Sequence, residues 1–170
     1  MGTGGTAGTA GTAGTTGVGA YVSGVFYSVE NFLETLRSES ATTARVLASL
    51  TDASLEVRAT DSARSLGELA WHVVTAIQEI GARAALRLSG PARTEEVPRR
   101  AEEIRAAYVR CSGDLATAVT ALSDVALLDR VDVYGEEWAV GRVLYVLLAH
   151  EIHHRGQIVS LIRVAELAVP

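Results

Sequence analysis

One cysteine, Cys111, is all the chain contains, so an intramolecular disulfide framework is excluded and the cytosol is the default compartment. Prolines number three and aromatic residues reach only 5%, thin material for an all-β sandwich. Basic charge is in deficit: 15 Lys and Arg face 20 Asp and Glu, a net −5 at pH 7. A mildly acidic domain is a poor match for nucleic acid, whose phosphates need a basic face. Long apolar runs are missing too. The longest past the N-terminal region is Val143–Ala149, far short of the ~20 residues that span a bilayer. The N-terminal region has no Lys, Arg, Asp or Glu before Glu30, so a secretory signal with a positive start is not expected.

What is present is a hydrophobic fraction of 48% in 170 residues, enough to bury one core. The chain divides by composition. Residues 1–20 read as a Gly-Thr-Ala repeat without a side chain large enough to pack. Glycine carries the highest ordering cost, so this stretch is expected to be a flexible tail, with a single domain over 21–170.

Four segments of the domain carry apolar residues at helical spacing. In the first, from about Phe26, Val29, Phe32, Leu33, Leu36, Thr43, Leu47 and Leu50 share a side. The second opens on Ser65-Leu-Gly-Glu68, a capping-box pattern, and its stripe is Leu69, His72, Val73, Ala76 and Ile80. Its end is expected near Ser89-Gly90-Pro91. The third runs from about Glu95 to Leu122 with Ile104, Tyr108, Cys111, Leu115 and Val119 inward, and the fourth from about Trp138 to Leu167. Helices of about 24–30 residues, roughly 36–45 Å each, without a convincing strand between them, predict an all-α, antiparallel four-helix bundle. The connections at 51–64 and 124–137 are long for a bundle and leave room for a crossover.

Three of the four histidines lie within five residues: His150, His153 and His154. At ~100° per residue, Val143, Leu147, Ile158, Leu161 and Ala165 span an arc of about 260–320° measured from Leu144. On the same measure, His150 falls at about 240° and His154 at about 280°, both inward, whereas His153 falls at about 180°, on a flank. His72 lies on the inward stripe of the second helix. A buried neutral imidazole must satisfy two ring nitrogens, and leaving a polar group unpaired costs a few kcal/mol. One divalent cation would satisfy three converging rings together, and two histidines at i and i+4 form a two-point ligand set on a helix. His72, His150 and His154 are therefore the candidate metal ligands. Three protein ligands leave positions for water or substrate, as catalytic sites do.

The same segment satisfies His-Glu-x-x-His, the zinc-peptidase helix, but this expression is short, a third histidine downstream is lacking, and no sheet edge is evident to hold a peptide. Glu151 is a candidate catalytic base for a water on the metal; its structural alternative is a flank carboxylate paired with Arg155 four positions on. Cys111 is expected to serve as a small core hydrophobe and Tyr108 to pack in the core or line the pocket.

At these residues the chain resembles a known family. Arg64-Ser-Leu-Gly-Glu-Leu-Ala-Trp-His-Val73 resembles the start of helix two in the DinB superfamily (DinB/YfiT-like metal-dependent enzymes), His150-Glu-Ile-His-His-Arg-Gly-Gln-Ile158 its last-helix signature, and Leu161–Pro170 its usual terminus. The likeness spans about residues 28–170. It implies a four-helix bundle, commonly a homodimer, and a divalent metal, often zinc or nickel, on His72, His150 and His154. It further implies a reaction such as thiol-dependent S-transfer or hydrolysis, with a low-molecular-weight thiol as a possible small-molecule substrate; no residue that would identify such a thiol is recognisable. Arg155 and Gln157 belong to the motif and are expected to be structural, Arg155 bridging to Glu68 or Glu151. Trp71, Val74 and Ile77 lie off the main stripe and lend the dimer its support in the sequence. The competing expectations are a non-catalytic, metal-stabilised dimeric bundle and, behind it, a zinc peptidase.

Overall fold

The computed structural model describes Met1, Phe26 and residues 28–170; the tail expected over 1–20 lies, Met1 apart, outside the described residues. Four helices form where the periodicity predicts them: α1 (Val29–Ala48), α2 (Leu66–Arg83), α3 (Ala101–Thr120) and α4 (Val140–Val164). Phe32, Leu36, Leu66, Ile104, Leu115, Leu144 and Ile158 are buried in one shared core. The expected all-α four-helix bundle is the architecture found. The helices are shorter than expected, at 20, 18, 20 and 25 residues.

The shortening has local causes. α2 stops at Arg83, before Ser89-Gly90-Pro91. Ala85 takes a left-handed conformation (φ 58°), with Leu86 N–H donating to the Gly81 carbonyl and Ala85 N–H to that of Ala82. This is a Schellman stop without glycine. It turns Leu86 into the core and leaves Leu88 against Gly81, where an added Cβ would lie 2.4 Å from the leucine. α3 begins at Ala101, past Pro98, which disfavours a helical conformation in the residue before it and so works against the earlier start expected near Glu95. Before α4, residues expected to be helix or loop pair as a hairpin, β1 (Arg130–Val133) with β2 (Glu136–Ala139). Its turn, Tyr134-Gly135, has φ of 57° and 87°, the two positive values of a type I′ turn.

α1 packs on α3 and α4, and α2 on α4 and α3, so consecutive helices α1 and α2 are diagonal partners. The long connections are the diagonal crossovers. Two aspartates lock them. Asp52, just past α1, accepts from the first amide of α3 (Ala101 N, 2.8 Å), and Asp124, just past α3, accepts from that of α1 (Val29 N, 2.8 Å). Each supplies from another segment the acceptor that an N-cap side chain would give. α1 and α3 are thereby antiparallel. Leu55, three residues from Asp52, packs against Gly67 at the start of α2. α2 and α3 therefore start at the same end and run parallel, which corrects the wholly antiparallel bundle expected; residues 84–100 bring the chain back between them.

Candidate metal centre

The capping box fixes where α2 starts. Ser65 Oγ accepts from Glu68 N (3.1 Å) and Glu68 Oε2 accepts from Ser65 N (2.6 Å), while Arg58 donates to the same carboxylate at 2.8 Å. With that phase set, Leu69, Val73 and Ala76 enter the core and His72 faces α4. There it meets His150 and His154. Ring centroids are 5.0 Å apart for His72–His150, 4.6 Å for His72–His154 and 4.4 Å for His150–His154. One ligand nitrogen from each lies within 4.8 Å of the other two. Tetrahedral binding at ~2.1 Å needs nitrogens about 3.4 Å apart, so a small rotation of side chains closes the set. The three histidines could hold a metal ion.

All three rings are half-buried. Burial first, and then the neighbouring imidazoles, push His72 down to about 4; burial and His154 do the same to His150. Burial also lowers His154, against a hydrogen bond to Gln157 that works the other way. The rings are thus kept neutral, the form that donates a lone pair to a cation. His154 Nδ1–H donates to Gln157 Oε1 at 2.7 Å, which leaves its Nε2 as the free donor atom and orients the ring. Gln157 Nε2 in turn donates to His153 Nε2 at 3.2 Å. Among the described residues, hydrogen bonds reach the ring of His154 but not those of His72 or His150. Three neutral imidazoles, two without other partners, fit a divalent ion. His153 is exposed, on the flank.

The centre is open. His72 and His150 border a cavity of about 260 Å³ walled by α2, α4 and the hairpin. His154 borders a separate hollow of about 460 Å³ with Arg64, Leu69, Gln157 and Leu161.

Glu151 is where the expectation and the structure part. It is 3% exposed, not on a flank, and does not pair with Arg155. Its Oε1 accepts from Thr43 Oγ1 of α1 and from Tyr108 Oη of α3, each at 2.7 Å, while Oε2 has no partner among the described residues. That carboxylate is committed to the core and does not belong to the three-ring group. Burial raises its pKa against the hydrogen bonds from Thr43 and Tyr108. Arg155, expected to bridge to Glu68 or Glu151, instead pairs with Glu39 at 2.5 Å and donates to Thr43 Oγ1 at 3.0 Å. Tyr108 and Cys111 are core residues, and the thiol is pushed up by burial, away from nucleophilic use. Trp71, Val74 and Ile77 are buried within the one chain, Trp71 Nε1 donating to the Glu95 carbonyl of the returning connection at 3.3 Å. They do not form an apolar outer surface. Sequence reasoning missed the cavity residues Arg83, Arg93, Tyr134 and Trp138. Only the Tyr134-Gly135 turn between alternating apolar residues signalled them.

Fold and centre together define a helical bundle carrying a three-histidine site that two helices build across their interface. The family model described as "DinB family" matches residues 25–170. The chain belongs to the DinB family. It is 35% identical over 147 residues to the uncharacterized protein YrdA of Bacillus subtilis (strain 168), covering 86% of this chain and 88% of that one. It is also similar to the crystal structure of a DinB-like protein from Bacillus cereus ATCC 10987, with 32% identity and a TM-score of 0.83 over 85% of this chain and 97% of the other. A second DinB-like crystal structure, YjoA from Bacillus subtilis, shares the fold at 16% identity, with a TM-score of 0.64 over 79% and 91% of the two chains.

Proposed function

We propose that this protein is a metal-dependent enzyme whose His72, His150 and His154 hold one divalent ion, zinc or nickel, and whose reaction is transfer of a low-molecular-weight thiol to an electrophile, or hydrolysis. The observation that carries the reading is the convergence of three neutral imidazoles within 4.8 Å beside open cavities, with no fourth His, Cys, Asp or Glu in the group among the described residues. A divalent ion supplies Lewis acidity there, making a bound water or thiol more acidic and so more nucleophilic near neutral pH. The chain's own residues provide the rest. His72 and His150 offer unpartnered ring nitrogens, Gln157 orients His154, and the cavity beside His72 and His150 gives a small substrate access to the rings. The thiol comes from the family resemblance and not from a recognisable thiol-binding residue.

A peptidase needs the His-Glu-x-x-His carboxylate beside the two rings, and Glu151 is held by Thr43 and Tyr108 instead. A homodimer remains part of the proposal. Tyr145 and Ile152, seven residues apart on the outer side of α4 and 41% and 43% exposed, are a better candidate face for it than Trp71, Val74 and Ile77. No described helix is long and apolar enough to cross a membrane; a cytoplasmic place is proposed from the lone cysteine.

The test is cobalt substitution of protein purified without an affinity tag. A visible spectrum that shifts on adding a low-molecular-weight thiol, and vanishes in His72→Ala and His150→Ala, is the expected result. Metal bound without any response to thiol would refute the thiol-transfer branch, leaving hydrolysis and the non-catalytic bundle.

A further inference from the structure

The cavity beside His72 and His150 has two chemical characters. Its sides are apolar: Ile80 from α2, Val143 and Val146 from α4, and Val133 from the hairpin. Its rim is cationic, with Arg83 and Arg93 against a single Glu79. Arg83 lies over the Tyr134 ring at 4.4 Å, which holds the guanidinium plane and leaves its N–H edge free. Arg93 is 3.6 Å from Glu79 through one nitrogen, with its side chain 61% exposed, so most of its five donors are uncommitted. Arg93 also borders the neighbouring hollow that His72 shares. On a chain of net charge −5 this is a local excess of positive charge, larger still with a divalent ion below. A cationic ligand would meet two guanidinium groups. A wholly apolar one would leave them unused.

We propose that this cavity binds a small carboxylate with an apolar body, the body lying on Ile80, Val143 and Val146 and the carboxylate gripped by Arg93 and Arg83. This names a substrate class for the centre and rests on reading the three rings as a reaction centre. The volume of about 260 Å³ suits a compact ligand, not a peptide.

Calorimetric titration of chelator-treated and zinc-loaded protein with 4-phenylbutyrate and its neutral amide tests the proposal without recourse to activity. The acid is expected to bind at least about tenfold more tightly than the amide in the metal-free protein, as a charge-assisted contact provides. Arg93→Gln and Arg83→Gln should each erase most of that preference and leave amide binding alone, with unchanged circular dichroism confirming the fold. Equal binding of acid and amide, binding of neither at millimolar concentration, or a preference that survives both substitutions overturns the proposal. If zinc fails to bind while the acid preference persists, the metal reading fails and the anion site stands. If zinc binds and the preference is absent, the reverse holds.

Discussion

Removing one ring from the centre has a consequence that can be worked in advance. A ligand that binds only the folded chain adds RT ln(1 + [L]/Kd), about 2.7 kcal/mol when free zinc is a hundredfold above Kd. For a chain of this size that is a rise in melting temperature of about 5–11 °C. Of the three candidate ligands His72 alone comes from α2, and the remaining pair, His150 and His154, lie on one helix. Losing a supporting hydrogen bond alone costs ~10–100-fold in affinity, so losing a ligand costs at least about a hundredfold. At the same free zinc the His72→Ala variant would then gain only about 0.4 kcal/mol, a deficit of about 2.3 kcal/mol. Each protein must be compared with its own chelator-treated state, because the substitution also removes a half-buried polar ring. The assay is thermal unfolding in zinc buffered by a chelator, on tag-free protein. If His72→Ala kept the full zinc-dependent rise, α2 would contribute nothing to the ion. If the native chain showed no rise even at millimolar zinc, the three rings would not be a zinc site.

Four further outcomes follow from the geometry. In urea titrations Tyr108→Phe should cost about 1–3 kcal/mol, because the Glu151 carboxylate loses one of two buried donors; zinc stoichiometry should not change, and a loss of zinc would make Glu151 part of the metal centre after all. Asp52→Ala and Asp124→Ala should each cost about 0.5–2 kcal/mol as the first amides of α3 and α1 lose their acceptors, and the double variant should be additive within about 0.5 kcal/mol because the sites are at opposite ends of α1; strong non-additivity would mean a shared partner. Metal-free protein should lose stability as pH falls from about 6.5 toward about 4, where His72 and His150 titrate in the folded chain: the unfolded chain takes up protons first, so its share grows over this window, and chemical unfolding midpoints independent of pH there would contradict neutral rings. Gly135→Val places a β-branched residue at φ 87°, a strain of about 1–3 kcal/mol; melting should fall while zinc affinity holds, since the hairpin supplies cavity wall but no ring.

The number and type of helices were legible because a 3.6-residue apolar period survives any packing arrangement. Their ends were not, and particular residues say why. The stop at Ala85 uses no glycine, and Glu166 (φ 56°) ends α4 in the same way, with Leu167 N–H donating to Ile162 O. Such stops depend on Leu86 and Leu167 finding apolar contacts that only the folded chain provides. The start of α3 needed weight on Pro98, and its cap is Asp52, 49 residues away. The hairpin was the avoidable miss: Val131, Val133 and Trp138 around Tyr134-Gly135 form a strand–turn–strand signal overshadowed by the helical periodicity on either side.

Face arithmetic on α4, with the apolar stripe of α2, picked out the three rings that the structure brings together, and the same arithmetic explains what it misjudged. The buried positions of α4 include Leu144, Leu148 and Ile162 as well as Val143, Leu147, Ile158 and Leu161. At ~100° per residue these span about 260° through 0° to 40° from Leu144, a wider arc than the first five residues define. Its middle is near about 330°, and on the same measure Glu151 lies at about 340°. A carboxylate there must be buried and must find donors from facing helices, as it does in Thr43 and Tyr108. His150 at about 240° and His154 at about 280° lie instead at the edge of the arc, where α4 turns from core to solvent. That edge position is why the rings are only half-buried and border cavities. A step of about 100° around the helix thus separates two tasks on adjacent residues: Glu151 ties α4 to α1 and α3, and His150 faces α2 and the outside, where an ion can be held and still be reached.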